Sequence, residues 1–89
     1  SPPTPSAVTC HAVSGLSRST LGAAIACGSG KTSTMYLNET TLCASTVFYG
    51  DISDCSSPYG VTTYVSDGSN YRQWNSSTNQ WNSACIGCP

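Results

Sequence analysis

In the last third of the chain, large apolar and polar side chains alternate with a period of two, in runs on either side of Asp67-Gly68. That period marks a β-strand with two unlike faces. Asp-Gly is a signal for a two-residue hairpin loop, whose central positions both take positive φ. The pattern predicts strands that pair Ser66 with Ser69, Tyr64 with Tyr71, Thr62 with Gln73 and Val61 with Trp74. A second reversal at Ser76-Ser77-Thr78-Asn79 sets Trp74 opposite Trp81 and Asn70 opposite Cys85, which completes a three-stranded meander. Val61, Val65, Trp74, Trp81 and Cys85 then share one face, and Tyr64, Tyr71, Gln73 and Asn82 share the other. The first face carries the bulk and the cysteine and is the expected core. Were the faces inverted, the two tryptophans would form the exposed platform.

Upstream the period changes. Leu21, Ala24, Ile25 and Gly28 follow the i, i+3, i+4, i+7 spacing of one helical face. Ser17 is placed as an N-cap, Leu16 and Leu21 as a hydrophobic staple, and Gly28 as the left-handed residue that ends the helix. Thr32 to Leu37 predicts a strand, and Asn38 is expected to cap a short helical turn through Cys43. Thr46-Val47-Phe48-Tyr49 predicts another strand, stopped by Gly50-Asp51, and Asp54-Cys55-Ser56-Ser57-Pro58 a loop. Residues 1–9 hold three of the five prolines and no aromatic residue, so they read as a flexible arm ahead of one domain over residues 10–89. The fold class predicted is α+β: a small disulfide-rich domain with one short helix packed on an antiparallel sheet that ends in the meander.

Composition adds the means of stabilisation. Val, Leu, Ile and Phe together supply only 13 of 89 residues, too few for a self-sufficient core. Six cysteines, Cys10, Cys27, Cys43, Cys55, Cys85 and Cys88, make up the deficit as three disulfides, which implies an oxidising compartment and secretion. Each is worth about 2–4 kcal/mol, and spacing does not choose among the 15 pairings. Cys85-Ile-Gly-Cys88 has a zinc-knuckle spacing but lacks a second pair, and the adjacent Cys10-His11 does not replace one. No metal or cofactor is therefore expected. Asn38-Glu39-Thr40 and Asn75-Ser76-Ser77 fit the N-glycosylation pattern, in keeping with export. Ser1-Pro2-Pro3-Thr4-Pro5 has no apolar stretch of the signal-peptide kind, so the chain reads as a mature, processed form.

Charge narrows the function. Three basic residues, dispersed, with a net charge of −1, make no phosphate-binding cluster, so nucleic acid is not an expected partner. No apolar run approaches the ~18 residues of a membrane span. Gly28-Ser29-Gly30-Lys31-Thr32 imitates the end of a phosphate-binding loop, but Ile25 stands where that loop needs glycine. His11, Glu39, Asp51 and Asp54 are acid–base candidates, but such groups are scarce and Asp51 and Asp54 read more simply as turn residues, so an enzyme is not expected and a small hydrolase is the alternative. The expected function is recognition without catalysis, of an extracellular glycan or a cell-surface protein. Tyr64 and Tyr71 offer ring faces for sugar C–H groups, and Gln73 and Asn82 offer amides for hydroxyls. A further reading, protease inhibition, puts Lys31 in a reactive loop between Cys27 and Cys43. In size, low charge, Ser/Thr richness and cysteine number the chain resembles small secreted cysteine-rich proteins of fungi, many of them effectors or killer-toxin-like proteins. That resemblance, one of composition and not of motif, implies an action on a host or competitor cell.

Overall fold

Nine residues, His11–Ser19, form the longest strand, β1, and the sheet is organised around it in the computed structural model, which describes residues 10–51, 53 and 55–89. The expected arm at residues 1–9 and the acid–base candidate Asp54 lie outside the described residues. After β1 come α1 (Ala23–Gly28), β2 (Ser33–Leu37), β3 (Phe48–Gly50), β4 (Thr63–Ser66), β5 (Asn70–Asn75), β6 (Gln80–Trp81) and β7 (Ile86–Gly87). The strands lie in the order β3-β2-β1-β4-β5-β6, with β7 also on β5, and every pairing is antiparallel. The domain is thus mainly antiparallel sheet with one short helix.

β1 serves two neighbours. Its first part pairs with β2, its end pairs with β4, and the register shifts between Val13 and Leu16 around Gly15, where φ is 74°. A bulge of this kind twists a strand and re-aims it. It also overturns the helix expected from Ser17. Ser17, Arg18 and Ser19 lie opposite Ser66, Val65 and Tyr64, because a strand that completes two ladders outweighs a local capping preference. The helix starts six residues later, with Gly22 in extended conformation and no side-chain cap. Leu16 is a core residue and no staple, since its intended partner Leu21 is 81% exposed. Ile25 is exposed too, and the buried helical residue is Ala26. Ser17 is buried and donates from its hydroxyl to the Ala26 carbonyl at 2.5 Å.

The meander forms with a corrected register. Thr63, Tyr64, Val65 and Ser66 lie opposite Trp74, Gln73, Arg72 and Tyr71, two positions from the expected pairing. The reason lies in the turn. The Asp67 carboxylate accepts from both the Ser69 and Asn70 amides, at 3.0 and 2.8 Å, and Gly68 alone has positive φ there. The loop is therefore longer than the two residues Asp-Gly implies. An even slip leaves every side chain on its expected face. It does remove Val61 from the strand, where it is exposed. Trp74 lies opposite Trp81 as the spacing predicts, but Asn70 faces Gly87 and not Cys85, because residues 82–85 interrupt the last strand between β6 and β7.

Leu16, Met35, Leu37, Leu42, Phe48, Val65 and Trp74 form the core, with Val13, Val47, Tyr59, Trp81 and Cys85 at its margin. Aromatic rings replace the missing aliphatic residues. Phe48 stands 5.1 Å from Tyr59, 6.0 Å from Trp74 and 5.5 Å from Trp81, centroid to centroid. Both indoles keep a hydrogen-bond partner, Trp74 on the Tyr59 carbonyl and Trp81 on the Ser45 hydroxyl. The disulfides are Cys10–Cys55, Cys27–Cys88 and Cys43–Cys85. They bind the start of β1 to the chain beyond β3, α1 to the end of the domain, and the loop after β2 to the interruption before β7.

Gly50 shows how tightly the margin is packed. Its φ is 72°, and a Cβ there would overlap the Tyr59 ring, whereas Gly60 has open space around it. Gly50→Ala is expected to lose about 1–3 kcal/mol, a fall in melting temperature of roughly 4–8 °C per kcal/mol. Gly60→Ala should leave thermal denaturation within a degree or two of the parent.

Candidate functional site

The outward face of the meander is set by β-alternation along β5. Arg72 and Trp74 point into the core and are buried, while Tyr71, Gln73 and Asn75 are half-exposed on the other side. Tyr64 of β4 lies opposite Gln73, and its ring meets that of Tyr71 diagonally at 6.2 Å, tilted by 59°. Asn82 follows β6 and donates from its side chain to Gln73 Oε1 at 2.9 Å. All four residues expected to bind a ligand, Tyr64, Tyr71, Gln73 and Asn82, are therefore on one face.

The structure adds a fifth residue. Asn75 donates to Asn82 Oδ1 at 3.1 Å and accepts from the Ser77 amide at 2.9 Å, so Gln73, Asn82 and Asn75 form a ladder of side-chain amides. The signal for it was present, since Asn75 has the parity of Gln73 along the strand. Each amide carries two N–H groups, and the ladder uses one apiece from Asn82 and Asn75, so donors remain along its length. Fixed orientation matters here, because an amide already held in place loses little entropy on binding. Ile86, opposite Tyr71 in β7, adds an exposed apolar side chain at the edge.

Behind this face, Arg72 holds the domain shut. It is only 8% exposed, and its Nε donates to the Ser83 carbonyl at 3.0 Å. Its Nη1 donates to the carbonyls of Leu42 and Ser45 at 3.0 and 2.7 Å, and the guanidinium lies 4.9 Å from the Trp81 ring centroid. Burial pushes its pKa below the ordinary arginine value, yet an arginine remains protonated at any working pH. A second anchor, half-buried, is Tyr59, whose hydroxyl accepts from Arg18 Nη1, with Asp51 3.5 Å from the same nitrogen.

Other candidates take different places. Lys31 does not project as a reactive-loop residue: its Nζ folds back on the carbonyls of Cys27 and Ser29, at 2.7 and 2.5 Å, and of Ala26 at 3.3 Å. A cation at a helix C-terminus satisfies carbonyls that the helix leaves unpaired, and a side chain so held is withdrawn from a protease pocket. Asn38 does not cap a helical turn. Its Oδ1 accepts from the amides of Thr46 and Val47, and its Nδ2 donates to Thr46 Oγ1, which closes the loop that carries Leu42 and Cys43. His11 is exposed at the start of β1, opposite Leu37, and Asp51 is taken up by Arg18. Among the described residues, no three His, Cys, Asp or Glu side chains converge as a metal site, and no helix is long and apolar enough to cross a membrane.

The two asparagines of the glycosylation patterns are thus unequal in structural weight. Asn38→Ala removes three hydrogen bonds that close a core loop and is expected to cost about 1–3 kcal/mol, read by denaturant unfolding. Asn75→Ala, on the outer ladder, should cost less than about 1 kcal/mol. Compared with known proteins, the chain matches no family model, no curated protein and no solved structure.

Proposed function

We propose that the protein is a non-catalytic recognition domain of the extracellular space, which binds a glycan on the outer face of the meander. The observation that carries this reading is the Tyr64–Tyr71 ring pair set beside the Gln73–Asn82–Asn75 amide ladder. A pyranose ring has C–H faces and an equatorial rim of hydroxyls. Tyrosine rings accommodate the first, with an apolar body and a polar tip, and oriented amides bond the second. A rigid sheet face suits such a ligand, because weak contacts yield affinity only when little ordering is left to do. Three disulfides favour an oxidising compartment, as for secreted domains of this size. The same reading takes α1 as packed on the sheet beside this face, supported by the burial of Ala26 and its hydrogen bond from Ser17.

A glycan array, followed by calorimetric titration of the best glycan, tests the site. Tyr64→Ala with Tyr71→Ala should weaken binding by at least about tenfold, and Gln73→Ala should weaken it less, with the melting temperature of each variant near that of the parent. A blank array, or equal binding by the double variant, would remove this face from consideration.

A further inference from the structure

Arg72 has five N–H groups. Three are used on the carbonyls of Ser83, Leu42 and Ser45, all on Nε and Nη1. The two on Nη2 have no acceptor among the described residues, and no buried polar side-chain atom there is left without a partner, so Nη2 opens to solvent. Arg72 lines a hollow of about 420 Å³ together with Thr46, Val47, Asn79, Gln80 and Trp81, and with Nε and Nη1 engaged on carbonyls, Nη2 is the part of the guanidinium left to face it. No carboxylate among the described residues lies within ion-pair distance of this guanidinium; the ion pair found is Arg18–Asp51. A guanidinium edge that faces a recess and has no carboxylate partner attracts an anion.

The rest of the lining describes the anion. Thr46 Oγ1 accepts from Asn38 and keeps its own proton to donate. The side-chain amides of Asn79 and Gln80 are exposed and have no partner among the described residues. Val47 and the Trp81 ring supply an apolar wall. One cation, three polar groups able to meet hydroxyls, and one apolar surface match a carboxylated sugar ring. A uronic acid carries its carboxylate and several hydroxyls on one ring, so the cation, the polar rim and the apolar wall can be met together. We propose that this hollow binds a uronic acid residue, with its carboxylate on Arg72 Nη2 and its hydroxyls on Thr46, Asn79 and Gln80. The site lies on the core side of β5, opposite in direction to Tyr71 and Gln73, and stands independently of the tyrosine face.

The test uses D-galacturonate and D-glucuronate, with methyl galacturonate ester and galactose as uncharged counterparts, by calorimetry and by tryptophan fluorescence, to which Trp81 reports. Saturable uronate binding in the millimolar range or tighter is expected, with the ester and galactose at least about tenfold weaker. Arg72 also closes the core, so the rim carries the mutational arm. Asn79→Gly with Gln80→Ala should weaken uronate several-fold at unchanged melting temperature, because glycine readily adopts the positive φ of 54° found at Asn79. Tyr64→Ala with Tyr71→Ala should leave uronate binding intact. Equal binding of acid and ester, no uronate binding, N-acetylaspartate binding as tightly as uronate, or loss of uronate in the tyrosine variant would each overturn the assignment.

Discussion

A single sheet of short strands has a core face to cover, and in this protein the cover is made of loops fastened to the sheet by covalent bonds. The loop after β2 brings Leu42 and Ser45 over Trp74 and Trp81, and Cys43–Cys85 fastens it to the far edge of the meander. The segment after β3 brings Tyr59 onto Phe48 and Trp74, and Cys10–Cys55 ties that segment to the start of β1. Loops on their own carry too little apolar surface to repay the entropy of ordering them. Cross-links that span 42–61 residues limit that entropy in the unfolded chain.

Arg72 does the same work by hydrogen bonding. It reaches carbonyls in two loops that no strand satisfies, and its cation rests on the Trp81 ring. Removing a buried partner of this kind exposes the full desolvation cost of the groups left behind. The consequence for function is geometric. A side chain fixed by three carbonyls presents its remaining edge in one direction only, as the amide ladder does on the opposite face. Both candidate binding surfaces therefore present groups already oriented by hydrogen bonds within the fold.

The faces of the meander were legible because strand parity is a local property. Tyr64, Tyr71, Gln73 and Asn82 fall on one side whether the turn holds two residues or four, since a slip by an even number preserves the face. The actual partners were not legible. They depend on whether Asp67 bonds forward to Ser69 and Asn70, and a two-residue signal does not report that. Leu16 and Ser17 were misplaced for a related reason: a staple pair Leu16–Leu21 around a capping Ser17 fits a helix start, and only pairing with β2 at Leu16–Ser33 and with β4 at Ser17–Ser66 makes them strand residues.

The sequence by itself determined a disulfide-stabilised, sheet-rich domain, low in charge, with a tyrosine and amide face, because these follow from composition and a period of two. The tertiary structure alone decided which cysteines meet, that Lys31 caps a helix, that Asn38 closes a loop, and that Arg72 lines a hollow. Each of those outcomes joins residues far apart in the chain or turns a long side chain back on its own backbone, and spacing carries no record of either.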